Sequence, residues 1–247
     1  MLTLNDLTFV GSNLKRPECV LATRSGHLYT SDWRGGVAVT YPDGNSRLLI
    51  HNAENNCLKP NGIALMHDGS LLVTHLGDDS GGVFRLKGNG QLQPFLTEIE
   101  GVPLPPTNFV SQDFEGRIWV TVSTRQIPRH SAARPDVGDG FIILIDKHGA
   151  RIVADNLGYT NECIVDPSGR WLYVNETFSQ RMSRFSITKG GLQKKRETVT
   201  EFGLGEFPDG LIFDNENHLW VTCIISNRLI RVAPNGNKKI LLEDCDL

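Results

Sequence analysis

The sequence predicts an all-β protein: a β-propeller of four-stranded blades, five of them recognisable in this chain. Three observations carry the prediction. An anchor residue recurs as Glu18, Asn61, Asn108, Asn161 and Asp209, at separations of 43, 47, 53 and 48 residues. Eight residues after each anchor stands a tight-turn residue: Gly26, Gly69, Gly116, Gly169 or Asn217. After each turn comes a run rich in β-branched and aromatic residues. Four short strands at such a period are the signature of a propeller blade, and no segment shows the 3.6-residue period of a helical solenoid.

Each repeat opens with its anchor and first strand, as in "KPNGIALMHDGSLLVT", "PPTNFVSQDFEGRIWVT", "YTNECIVDPSGRWLYV" and "FPDGLIFDNENHLWVT". The second strands are "HLYTSD", "SLLVTH", "RIWVTV", "RWLYVN" and "HLWVTC"; the third are "GVAVTY", "GGVFRL", "GFIILID", "RMSRFSI" and "RLIRVA". A turn and a fourth run usually follow ("SRLLI", "QPFL", "ARIVA", "KKILL"). Repeat five ends near Leu242, so residues 1–247 read as one propeller domain, with the run at about 3–10 closing the ring as the outer strand of the last blade. An exposed sheet edge is a liability, which is why a closing strand is expected.

The 247 residues, 39% hydrophobic and 21% charged with a formal charge of −3, describe a globular protein with a proper core. The basic runs "KKR" at 194–196 and "NKK" at 237–239 are short and read as solvated surface, so no nucleic-acid partner is expected. No run has the ~18 apolar residues of a membrane span, and the N-terminal run lacks the features of a secretory signal. Cys19, Cys57, Cys163, Cys223 and Cys245 are odd in number and form no C-x-x-C pair. They read as reduced thiols of a cytoplasmic protein.

In a propeller the first strand of each blade lines the central channel, so all five anchors should face the axis at one end. Every one of them offers an oxygen. Asn and Asp also open turns for purely local reasons, but that does not account for Glu18. Oxygen ligands with one Glu and one Asp suit a hard divalent cation, Ca²⁺ first, then Mg²⁺ or Mn²⁺. Zn²⁺ stands last, because it prefers His or Cys and the ring has neither.

With "PEC" at 17–19, "PNGIALMHDGSLLVT" at 60–74, "TNFVSQDFEGRIWV" at 107–120, "TNECIVDPSGRWLYV" at 160–174 and "PDGLIFDNENHLWV" at 208–221, the chain resembles the senescence-marker-protein/gluconolactonase/regucalcin family of calcium-dependent lactonases. The resemblance implies that Glu18, Asn161 and Asp209 ligate one metal ion, that Asn108 faces the substrate or a water on the metal, and that Asn61 is a second-tier substrate contact. It also implies a hydrolase opening a sugar-type lactone, with a small-molecule substrate. Family members usually have six blades.

Such a site fits lactone hydrolysis: the metal polarises the carbonyl and acidifies a water, and a ligating carboxylate takes the proton. Asp209 is the expected base, with Glu18 the alternative. No G-x-S-x-G elbow appears, which argues against a serine hydrolase. The long loop 123–140, "STRQIPRHSAARPDVGDG", carries Arg125, Arg129, His130 and Arg134 and reads as a positive lid for an acidic or polyhydroxylated substrate. Related sugar lactonases often carry an arginine two residues before the third anchor; here that place is Pro106, and Arg125 is expected to orient substrate instead. His75, ending a second strand, points the same way. Two other readings fit the same residues, a non-catalytic binding propeller and a metal-dependent phosphotriesterase of related architecture.

Overall fold

The computed structural model describes residues 2–50 and 58–244. Five antiparallel four-stranded sheets follow one another along the chain, each in the order of its strands. Blade I holds β1 (Val20–Ala22), β2 (Leu28–Asp32), β3 (Gly36–Thr40) and β4 (Ser46–Ile50). Blade II holds β5 (Pro60–Leu65), β6 (Leu71–Leu76), β7 (Gly81–Leu86) and β8 (Leu92–Leu96), followed by a small ribbon of β9 (Glu98–Ile99) and β10 (Val102–Pro103). Blade III holds β11 (Thr107–Gln112), β12 (Ile118–Val122), β13 (Gly140–Asp146) and β14 (Gly149–Leu157). Blade IV holds β15 (Thr160–Val165), β16 (Trp171–Glu176), β17 (Arg181–Thr188) and β18 (Gly191–Glu201). Blade V holds β19 (Glu206–Phe213), β20 (Leu219–Ile225), β21 (Arg228–Val232) and β22 (Lys238–Glu243). The protein is a β-propeller, and each predicted tight-turn residue has the positive φ that its turn requires, from 63° at Asn217 to 81° at Gly26.

The core lies between blades. One apolar cluster runs from Cys19 and Val37 of blade I through Ile63, Phe109 and Trp119 to Cys163 and Leu172 of blade IV. Another joins blade IV to blade V through Tyr173, Met182, Leu211 and Val221. Inner strands approach so closely that a Cβ on Gly62 would lie 2.6 Å from Phe109 Cα, which is why "PNG" carries glycine there. Among the described residues no cluster contains both blade I and blade V. Instead Val20 and Ile212, 60% and 62% exposed, line a 550 Å³ cavity that the first strands of all five blades share.

The run 3–10 departs from expectation, for it forms no strand. Leu4–Asp6 is a single 3₁₀ turn. Thr3 donates both its backbone N–H and its hydroxyl to Asp6 Oδ2, each at 2.8 Å. An Asp that accepts from a residue three positions earlier competes with extended structure. β22 already forms the outer strand of blade V, and the N-terminal run reaches it through one backbone hydrogen bond, Leu2 N to Leu241 O at 2.6 Å. Cys19, Cys163 and Cys223 are buried free thiols; Cys57 and Cys245 lie outside the described residues. Among the described residues no helix is long and apolar enough to cross a membrane.

Candidate active site

The anchors sit where the first strands are irregular. Strand register shifts between Pro60 and Ile63, Thr107 and Phe109, Thr160 and Cys163, and Pro208 and Leu211. A β-bulge re-aims side chains, and these four bulges flank Asn61, Asn108, Asn161 and Asp209. Hydroxyls on the neighbouring second strands satisfy the amides that the irregularities free. Thr74 accepts from Gly62 N at 2.8 Å, Thr222 from Gly210 N at 3.0 Å, and Ser31 from Glu18 N and Cys19 N at 3.2 and 3.1 Å. Each hydroxyl lies thirteen residues after its anchor, a regularity present in the sequence that the anchors alone do not reveal.

Glu18, Asn108, Asn161 and Asp209 line one cavity of 680 Å³. Asn161 Nδ2 donates to Thr177 Oγ1 at 3.0 Å and, in a very short contact, to Asp209 Oδ1. Glu18 pairs with Arg16 at 2.9 Å. Burial, then the negative charge of Glu18, pushes the Asp209 carboxyl up to about 6, against the pull of Asn161, Arg16 and Arg129. Asn108 Nδ2 donates to Ser123 Oγ at 3.1 Å, while its Oδ1 is enclosed and has no hydrogen-bond partner. Asn61 stands just behind: its Oδ1 accepts from Arg16 at 2.9 Å and its Nδ2 donates to the Asn108 carbonyl at 3.0 Å.

This donor set fits a hard divalent cation. Two carboxylates converge and each holds a substitute positive or N–H counterpart, Arg16 or the Asn161 amide, while an amide oxygen on Asn108 lacks a partner. An unpaired buried acceptor is costly, and oxygen-only ligands suit Ca²⁺ or Mg²⁺. Among the described residues no three His, Cys, Asp or Glu side chains form a metal-holding group, so amides must complete any such ligand set.

Two other expected contacts lie elsewhere. Arg125 makes a bidentate pair with Asp155 at 2.8 and 3.0 Å and stacks on Phe141 at 4.2 Å, and it does not line the cavity. His75 is buried. Its Nδ1 accepts from Lys59 N at 3.0 Å, Phe84 meets its ring edge-on, and burial lowers its pKa. It too stays outside the cavity, held by its backbone partner.

Several cavity residues carry no motif: Arg16, Trp33, Tyr159, Thr177 and Phe178. Loop 123–140 contributes Pro128, Arg129, His130 and Ala133, with a 3₁₀ turn over Arg129–Ala132 supported by packing of Ala132 against Val137 and Tyr159. In the second cavity along the channel, Glu162 accepts from Leu211 N at 3.0 Å. Burial, with Asp209 and Glu18 adding to it, pushes its carboxyl up to about 8.

Residues 16–242 match the family described as "SMP-30/Gluconolactonase/LRE-like region". The chain belongs to this family. Similar proteins include a 6-deoxy-6-sulfogluconolactonase of Pseudomonas putida, 28% identical over 63% of this chain and 52% of its own. Protein STRICTOSIDINE SYNTHASE-LIKE 4 of Arabidopsis thaliana is 23% identical over 90% of this chain and 60% of its own. The chain thus spans between half and three-fifths of the length of these curated relatives. Among solved structures, a gluconolactonase of Xanthomonas campestris superposes with a TM-score of 0.75 at 20% identity, covering 92% of this chain and 75% of that one. Regucalcin of Agrobacterium tumefaciens, a calcium-binding protein, superposes at 0.72 with 20% identity, covering 92% and 74%. These superpositions speak for the fold.

Proposed function

We propose that the chain is a divalent-cation-dependent lactonase opening a sugar-type lactone, with Ca²⁺ held by Glu18, Asn161 and Asp209. The observation that carries this reading is the convergence of two carboxylates and two amides on one cavity, with Asn108 Oδ1 unpaired. The family and its gluconolactonase members support lactone chemistry, and the calcium-binding regucalcin supports the choice of ion.

When bound, the cation supplies Lewis acidity, polarising the lactone carbonyl and lowering the pKa of a water beside it. The chain's own residues do the rest. Asp209, partly buried and raised in pKa, accepts the proton of the attacking water at its Oδ. The water oxygen bonds to the carbonyl carbon, the ring C–O bond breaks, and the ring oxygen leaves as a hydroxyl after recovering that proton. Asn108, held by Ser123, presents Oδ1 as an acceptor that orients the water or a substrate hydroxyl. Asn61 holds Arg16 and the Asn108 backbone in register, while Trp33 and Phe178 supply apolar wall that limits water around the sugar.

The test is a panel of aldonolactones followed by acid release, with Ca²⁺ and with chelator. Hydrolysis that chelator abolishes and Ca²⁺ restores supports the reading. Chelator-insensitive hydrolysis, or none on any lactone, overturns it.

A further inference from the structure

The geometry points to a specificity clamp in the same cavity: Arg129, with Arg16, binds an anionic group carried by the substrate away from its lactone carbonyl. The inference rests on the lactonase reading for the identity of the reacting group.

Arg129 Nη1 donates to the Tyr159 hydroxyl at 2.8 Å. Tyr159 is itself buried and braced edge-on by Phe178, ring centres 4.7 Å apart. Arg129 is therefore positioned by an anchored phenol. Yet among the described residues no carboxylate lies within ion-pair distance of it, whereas its loop neighbours Arg125 and Arg134 are paired with Asp155 and Asp136. A guanidinium has five N–H donors in a fixed fork suited to carboxylate, sulfonate or phosphate. Arg129 is half-buried, and it feels the carboxylates of Asp78 and Asp209 only through space, so its remaining N–H donors are left for a ligand to take up. Arg16 is also preset. Its backbone lies at φ 46° and its guanidinium stacks 4.3 Å above the Trp33 ring.

The charge balance decides the sign of the ligand. Around the cavity, Arg16, Arg129 and the nearby Lys59 face Glu18, Asp78 and Asp209, so the protein's own charges sum to zero there. Lys59 and Asp78 cancel each other at 2.8 Å. A divalent ion held by Glu18 and Asp209 would satisfy both carboxylates and would leave Arg16 free of its pairing with Glu18. With the ion bound, the same set of groups would carry two net positive charges. A lactone is uncharged where it reacts, so the surplus asks for an anion elsewhere on the substrate.

The test uses the Ca²⁺-loaded full chain and calorimetric titration with open-chain probes: gluconate, with one anion, against glucarate, 6-phosphogluconate and 6-deoxy-6-sulfogluconate, each with a second. The expected result is that at least one second-anion probe binds about tenfold or more tightly than gluconate, the best arm naming carboxylate, phosphate or sulfonate. Arg129→Gln should erase that preference, Arg129→Lys should keep part of it, and Arg134→Gln, which removes a loop charge outside the cavity, should leave it whole. Equal affinity for all four probes in the wild type overturns the clamp. So does a preference that survives Arg129→Gln. If the second-anion preference depends on Arg129 but no lactone is opened, the clamp stands and the lactonase reading falls. Lactone opening without the preference keeps the lactonase reading and removes the clamp.

Discussion

Three inner strands carry an acidic or amide residue near both ends, five residues apart, and the two ends behave differently. At the mouth stand Asn108, Asn161 and Asp209; at the far turns stand Asp113, Asp166 and Asp214. The far set is saturated. Asp113 accepts from Glu115 N and Arg117 N, at 2.9 and 3.0 Å, and from Trp119 Nε1 at 2.9 Å. Asp214 repeats the arrangement with Glu216 N, His218 N and Trp220 Nε1, and Asp166 accepts from Arg170 N and Trp171 N. The mouth set is under-satisfied: an unpartnered oxygen on Asn108, and on Asp209 a carboxyl pushed up to about 6 by burial and Glu18. Repetition alone therefore does not mark a site. Both sets repeat; only the one whose partners are missing has capacity left for a ligand.

The largest expected effect tests the mouth. Outer-shell partners of a metal are worth 10–100-fold in affinity, so Asp209→Asn should lower Ca²⁺ affinity by at least about 100-fold. Lactone opening should fall by about 1,000-fold, a loss comparable to removing a key transition-state donor. The metal-free variant should melt no lower than wild type, because one of two mutually repelling carboxylates is gone. Calcium calorimetry and a thermal scan check both, and undiminished calcium affinity breaks the comparison.

Glu176 sharpens the comparison, because it is a fully buried carboxylate near the mouth that is saturated. Gly158 N, Ser183 Oγ, Arg181 and Arg196 all donate to it. Burial raises its pKa, but the bonds from Arg181, Gly158 and Ser183 outweigh burial and hold it below its ordinary 4.5. Its stabilising share is complete above 4.5 and fades as the pH falls below that value. Glu176→Gln should cost about 3–5 kcal/mol at neutral pH and flatten the acid limb of the stability curve. A variant whose stability tracks wild type from neutral to acid pH would show that the network contributes nothing.

The smallest effect belongs to the far end. The Asp113 side chain is 2% exposed. Asp113→Ala strips the acceptor from two backbone amides and the buried Trp119 indole, which should cost about 2–3 kcal/mol. That is a fall in Tm of roughly 4–12 °C for a chain of this size, with calcium affinity unchanged. Altered calcium binding in this variant would erase the distinction between the two ends.

The blades and anchors were legible because their signals are local. The offset from Asn61 to Gly69, or from Asp209 to Asn217, records one strand and one turn, and turn chemistry depends on neighbouring residues. The run 3–10 misled because the expectation came from the need to cover a sheet edge, while Thr3 and Asp6 close a turn between themselves. Arg125 and His75 stood at the right end of their blades, yet a long side chain goes to its best partner. Those partners, Asp155 and the Lys59 amide, lie 30 and 16 residues away. Arg16, Trp33, Tyr159 and Phe178 had no motif to find, being brought together from blades I, III and IV and the segments beside them. Glu162 adjoins an anchor, and nothing in its surroundings along the chain marks it as channel-facing.

What the sequence by itself determined was the repeat: a β-propeller of four-stranded blades and a register that aims oxygens at one end of the channel. Short-range propensities and a fixed spacing suffice for that, since each blade repeats the same local problem. Only the tertiary structure decided which of those oxygens lack partners, which arginine of the long loop turns inward, and which carboxyl is pushed up in pKa. Those properties depend on distance, burial and the summed charge of groups far apart in the chain.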